Sequence, residues 1–194
     1  MIDFKKQPKS KDEIQKALKK PSLKPGLEKY NFIMQTLKKV DVSTDALFQK
    51  KFKGFYRVRR NEDFCKLYFS ILEIHKRKNT EPTFSELLDT FLDKFKKIEA
   101  SYMSKLLATI NDNFPVYDRN VLAILRISKP SYLLSTDDRK KKICEIYSML
   151  IKWYSDFIPS DEGKKWLELF NQEFPNTHIS STKKIDLILW ALYG

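Results

Sequence analysis

The chain has 194 residues, 42% of them hydrophobic and 32% charged, which is enough apolar content for one packed domain and too much for a disordered chain. Its 37 lysines and arginines against 25 acidic residues leave a net charge of +12, the balance of a chain that meets a polyanion, either nucleic acid or an anionic membrane surface. The glycines, Gly26, Gly54, Gly163 and Gly194, are too scattered for a phosphate-cradling loop, and with 8 prolines they are too few for a turn-rich β-sandwich or barrel.

Residues 1–26 read as a basic N-terminal segment punctuated by Pro8, Pro21 and Pro25, in which Ser10-Lys-Asp-Glu13 has the form of a capping box and predicts a short helix. Residues 27–194 read as a single all-α domain. Its first helix is expected from Leu27 to Val40, with Tyr30, Ile33, Met34 and Leu37 on one face. After a break at 41–45, Ser43 or Thr44 can cap a short helix carrying Leu47 and Phe48. Gly54 then leads into Phe55-Tyr-Arg-Val-Arg-Arg60, read as a surface loop, with Asn61 as the next N-cap. Phe64, Leu67, Tyr68, Ile71 and Leu72 predict a helix over 62–75, and Thr83-Phe-Ser-Glu86 is a second capping box before Leu87, Leu88, Phe91 and Leu92. Helical spacing resumes over 99–110. Asp118 caps a short helix with Val121 and Leu122, the longest helix runs from Thr136 to about Phe157, and two more start near Ser160 and Ser180 or Ser181. No segment alternates with period two, so the expected fold is a multi-helix all-α globule.

Cys65 and Cys144 lie too far apart for a metal knuckle and have apolar neighbours, so they read as reduced, buried thiols. No cysteine and histidine set has metal-ligand spacing, and neither a metal nor another cofactor is expected. Met1-Ile-Asp-Phe-Lys-Lys lacks the apolar run of a signal peptide, and no stretch is long and apolar enough to span a bilayer. A cytoplasmic protein without a membrane partner is the expectation.

Residues 98–126 carry the most information: Ile98-Glu-Ala-Ser-Tyr-Met-Ser-Lys105-Leu-Leu, then Asn111-Asp-Asn-Phe-Pro115-Val-Tyr-Asp118-Arg-Asn-Val121. This stretch resembles the core of the helix-hairpin-helix DNA glycosylases, especially the 8-oxoguanine branch. Ser104-Lys105-Leu-Leu looks like the family's hairpin lysine and the helix after it, and Pro115-Val-Tyr-Asp118 like its extended loop and aspartate. The resemblance implies duplex DNA as partner, a role in DNA repair and the excision of a damaged base. The chemistry itself needs a group that attacks the sugar carbon and a charge that steadies the cation formed there. A lysine amine of lowered pKa can do the first and a carboxylate the second. Lys105 and Asp118 are therefore the candidate catalytic residues. The same residues also read without chemistry, Asp118 as a plain N-cap and Lys105 as one more surface lysine. The stretch departs from the family pattern in having no glycine between Glu99 and Ser104.

Lys50-Lys51-Phe-Lys53-Gly-Phe55-Tyr-Arg57-Val-Arg59-Arg60 interleaves cations with rings, a composition suited to phosphates and bases. Arg57, Arg59, Arg60, Lys51, Lys53 and Arg119 are the candidate nucleic-acid contacts, while Phe52, Phe55 and Tyr56 read more readily as core anchors. The basic run Arg139-Lys-Lys-Lys142 stands where a helix N-terminus prefers anions. Two other functions remain open: a helical DNA- or RNA-binding protein without catalysis, and a helical module whose basic face meets an acidic protein.

Overall fold

The computed structural model describes residues 9–193. Among them are ten helices and no strand: α1 (Lys11–Leu18), α2 (Leu23–Leu37), α3 (Ala46–Tyr56), α4 (Glu62–Lys78), α5 (Phe84–Phe95), α6 (Ala100–Ile110), α7 (Arg119–Ile124), α8 (Thr136–Phe157), α9 (Asp161–Glu173) and α10 (Ser181–Tyr193). They fall into two compact units, residues 9–20 with 112–193 and Pro21–Asn111. The division differs from the expected one. The boundary placed at residue 26 lies inside α2, and α1 packs against α9 and α10 rather than standing apart. The cause is its apolar face: Ile14, Ala17 and Leu18 recur at helical spacing and are all buried.

In the Pro21–Asn111 unit, α2 packs on α3, and α4 and α5 each pack on α6. α2 begins at Leu23, ahead of the predicted Leu27, because Pro25 falls in its first turn, where a missing N–H leaves no bond unmade. α3 runs straight through Gly54, although the sequence suggested an end there. Phe48, Phe52 and Tyr56, one turn apart, are buried on one face, and that burial outweighs the small helix penalty of a single glycine. The core is aromatic: Phe52 meets Phe69 edge-on at 5.4 Å and Phe64 lies 4.8 Å from Phe91. Both predicted capping boxes form, Ser10 with Glu13 and Thr83 with Glu86.

In the other unit, α10 packs on α1, α7 and α9. The turn from α8 into α9 is tight enough to require glycine. A Cβ on Gly163 would stand 2.0 Å from the Phe157 carbonyl oxygen and 2.9 Å from that of Ile158. Cys65 and Cys144 are free thiols, and burial pushes the Cys65 thiol up. No helix among the described residues is long and apolar enough to cross a membrane.

Candidate nucleic-acid interface and buried polar clusters

The cationic stretch of 50–60 divides its labour along α3. The rings face inward: Phe52 and Tyr56 are buried, and Phe55 is half-buried 5.7 Å from Tyr30. That excludes Phe52 and Tyr56 as base-stacking surfaces. Lys51 is exposed, its ammonium 5.7 Å from the Phe32 ring, and Lys53 is half-buried. Arg57 ends the helix in the left-handed region at φ 53°, its N–H and that of Val58 both donating to the Lys53 carbonyl. Val58 is buried, which anchors the loop and leaves Arg57 and Arg59 exposed on either side of it.

Arg60 differs from its neighbours. Its Nη2 donates to Glu99 Oε2 at 2.8 Å, and its guanidinium lies 4.9 Å from the Tyr102 ring centroid. The Glu99 side chain is only 8% exposed. The hydrogen bond to Glu99 holds the arginine above its ordinary pKa. Glu99 in turn gives α6 no side-chain cap, because its carboxylate is turned to Arg60. Arg60 therefore neutralises a buried carboxylate, and the three arginines are not interchangeable.

Lys105 does not stand at a hairpin. The turn between α5 and α6 lies at 96–99, with Lys96 at φ 56°, and Lys105 sits well inside uninterrupted α6. It is 9% exposed. Its Nζ donates to the Tyr56 carbonyl oxygen at 3.2 Å and lies 5.5 Å from the Tyr102 ring. Tyr56 is the last residue of α3, so the ammonium serves the negative end of that helix. The reading of Lys105 as a surface lysine fails too: the fold has buried it.

Asp118 belongs to the other unit. Pro115, Val116 and Tyr117 are buried, and the Tyr147 hydroxyl donates to the Pro115 carbonyl at 3.0 Å, which holds the extended loop. Asp118 then caps α7, its Oδ1 accepting from the Asn120 N–H at 2.8 Å, and its side chain is half-buried. Arg119 is exposed, its guanidinium 5.8 Å from the Tyr193 ring. Lys105 belongs to the Pro21–Asn111 unit and Asp118 to the unit of residues 9–20 and 112–193.

The same unit contains a pair that the sequence reading passed over. Lys183 Nζ lies 2.8 Å from Asp186 Oδ2, with both side chains buried, and the Tyr154 hydroxyl donates to Asp186 Oδ1 at 3.4 Å. Burial is the main cause that pushes the Tyr154 hydroxyl up, with the carboxylates of Asp186 and Asp118 adding to it. The signal was present as two charges three residues apart flanking and entering the run Ile185-Asp-Leu-Ile-Leu189, most of which is buried. Among the described residues no group of three or more histidine, cysteine or acidic side chains could hold a metal ion.

No family model matches the chain, and neither the curated proteins nor the solved structures include a match.

Proposed function

We propose that this protein binds duplex DNA through its phosphates. The observation that carries the reading is the +12 charge, together with the outward placement of Lys51, Arg57, Arg59 and Arg119. Phosphate contacts release counterions, so affinity should fall steeply as salt rises. A gel-shift titration of a duplex across salt concentrations tests this. No binding at low salt, or binding indifferent to salt, overturns the reading.

Base excision is the second reading, and the resemblance of residues 98–126 together with the half-buried carboxylate of Asp118 favours a water-attack form of it. A water oxygen would bond to the sugar carbon as the glycosidic bond breaks and its electron pair leaves with the base. Asp118 would steady the cationic sugar and take the water's proton, and the base would be protonated as it departs. The amine of Lys105 is engaged with the Tyr56 carbonyl, so an imine route through Lys105 is not part of the proposal. Asp118→Asn keeps a capping side chain and removes the charge. It should bind DNA like wild type and lose release of 8-oxoguanine, uracil or alkylated purines from labelled duplexes. If wild type binds DNA and releases none of these bases, the protein is a DNA-binding module without catalysis.

A further inference from the structure

The connection from α7 to α8 presents an apolar tip between cations. Tyr132 is 82% exposed and Leu133 97% exposed, more than any other large apolar side chain among the described residues. Water contact at two adjacent large side chains is unfavourable, and folding gains nothing from it. Local hydrogen bonds nonetheless hold the tip. The Leu133 N–H donates to Ser131 Oγ at 3.1 Å, the Leu134 N–H to the Ser131 carbonyl at 3.4 Å, and Leu134 is half-buried beneath. The Arg139 guanidinium lies 5.6 Å from the Tyr132 ring centroid and braces it.

Charge surrounds this tip in sequence on both sides. Arg126 and Lys129 precede it, and Arg139, Lys140, Lys141 and Lys142 follow in the first turns of α8. The acidic residues in the segment are Asp137 and Asp138, and Asp138 is engaged with Ser135, whose hydroxyl donates to its Oδ2 at 2.7 Å. Arg126 holds a left-handed backbone at φ 56°.

We propose that Tyr132 and Leu133 form a wedge that enters a DNA duplex between stacked bases, while the flanking cations hold the phosphates. The proposal rests on the DNA-binding reading above and adds how the duplex is deformed. One or two apolar side chains suffice to unstack a base step, and the cost of unstacking is offset by the extra phosphate contacts that a bent duplex allows. A membrane surface would call for a broad apolar face, whereas this tip offers two side chains. Phe52 and Tyr56 of α3, being buried, are not available for such a role.

The test uses the whole chain and a labelled duplex containing a 2-aminopurine, read two ways. Anisotropy reports binding and its salt dependence; 2-aminopurine fluorescence reports unstacking. Wild type should raise the fluorescence on binding. Leu133→Ser and Tyr132→Ser should lose most of that rise and bind about tenfold more weakly, the size of one lost base-stacking contact. Their salt slope and helical circular dichroism should match wild type, because both side chains are exposed. Binding by wild type without a fluorescence rise, or variants that keep the rise, overturns the wedge and leaves DNA binding standing. No binding at low salt overturns both. Should phosphatidylserine vesicles bind wild type and not the tip variants while duplex binding is the same for all, the tip is a membrane contact and the wedge is overturned.

Discussion

Arg57, Lys96 and Arg126 all hold a positive φ at or just beyond the end of a helix, at 53°, 56° and 56°. An L side chain in that region carries about 1 kcal/mol of strain that glycine avoids. If the cations serve DNA, stability and binding should move in opposite directions at these positions. Arg57→Gly and Arg126→Gly should each raise the thermal midpoint by about 2–4 °C, corresponding to about 1 kcal/mol. Each should also weaken duplex binding and flatten its salt dependence. Unchanged affinity would return that arginine to the solvated surface. Arg60 should behave differently. Arg60→Ala leaves the Glu99 carboxylate buried without its arginine, and should cost about 1–3 kcal/mol in urea unfolding after screening of the part-exposed guanidinium. Adding Glu99→Gln should restore most of the loss, which a pure DNA-contact role would not produce. The cluster at 57–60 was legible in the sequence as a concentration of charge, but its division was not. The partner of Arg60 is 39 residues away, and local spacing holds no record of it. The burial of Lys105 was not legible for the same reason, since its acceptor on Tyr56 is 49 residues distant.

The two helix glycines of α3 and α9 give a test at the level of elements. Gly54 has open space where a Cβ would go, inside a helix that the aromatic face has already committed. Gly54→Ala should therefore stabilise the protein by about 0.5–1 kcal/mol. Gly163→Ala should destabilise it by about 1–3 kcal/mol or more, because backbone carbonyls of the α8 end cannot move aside as a side chain could. Thermal unfolding of the two variants, measured side by side, checks the opposite signs. Element identity was largely written in local chemistry. The boxes at Ser10 and Thr83, the caps Asn61, Asp118 and Ser160 and the apolar stripes each mark a helix that forms. Boundaries and grouping were less legible. The run of α3 through Gly54 depends on Phe69 and Tyr68 of a later helix, and the placement of α1 depends on helices at the far end of the chain.

Over the whole molecule, buried ionisable groups are shifted in directions that should cost stability in both acid and alkali. Burial would raise the Glu73 carboxyl, but the cations Lys76 and Arg77 and the Val42 N–H outweigh it and hold the group below its ordinary 4.5. A carboxyl depressed in the folded state gives stability that is present above 4.5 and is lost as pH falls through the folded value. Burial pushes the hydroxyls of Tyr68, Tyr147 and Tyr154 above the ordinary 10.0, and that of Tyr117 to about 12. Their contribution is complete below 10.0 and lost as pH rises. Stability should thus fall on both sides of a broad plateau, and Glu73→Gln, which has no carboxyl to protonate, should lower the plateau and flatten its acid side. The share of tyrosinate absorbance that comes from these four hydroxyls should rise together with loss of helical signal in an alkaline titration. The order of the chain has a further consequence. α1 leaves a ribosome before α9 and α10, yet those two later helices are the ones it packs on. The unit of Pro21–Asn111 holds its whole sequence in one stretch and can close while synthesis continues. During that interval α1 has no docking site and must wait as an amphipathic segment, so a helix made before the Pro21–Asn111 unit finds its place only after that unit has been made.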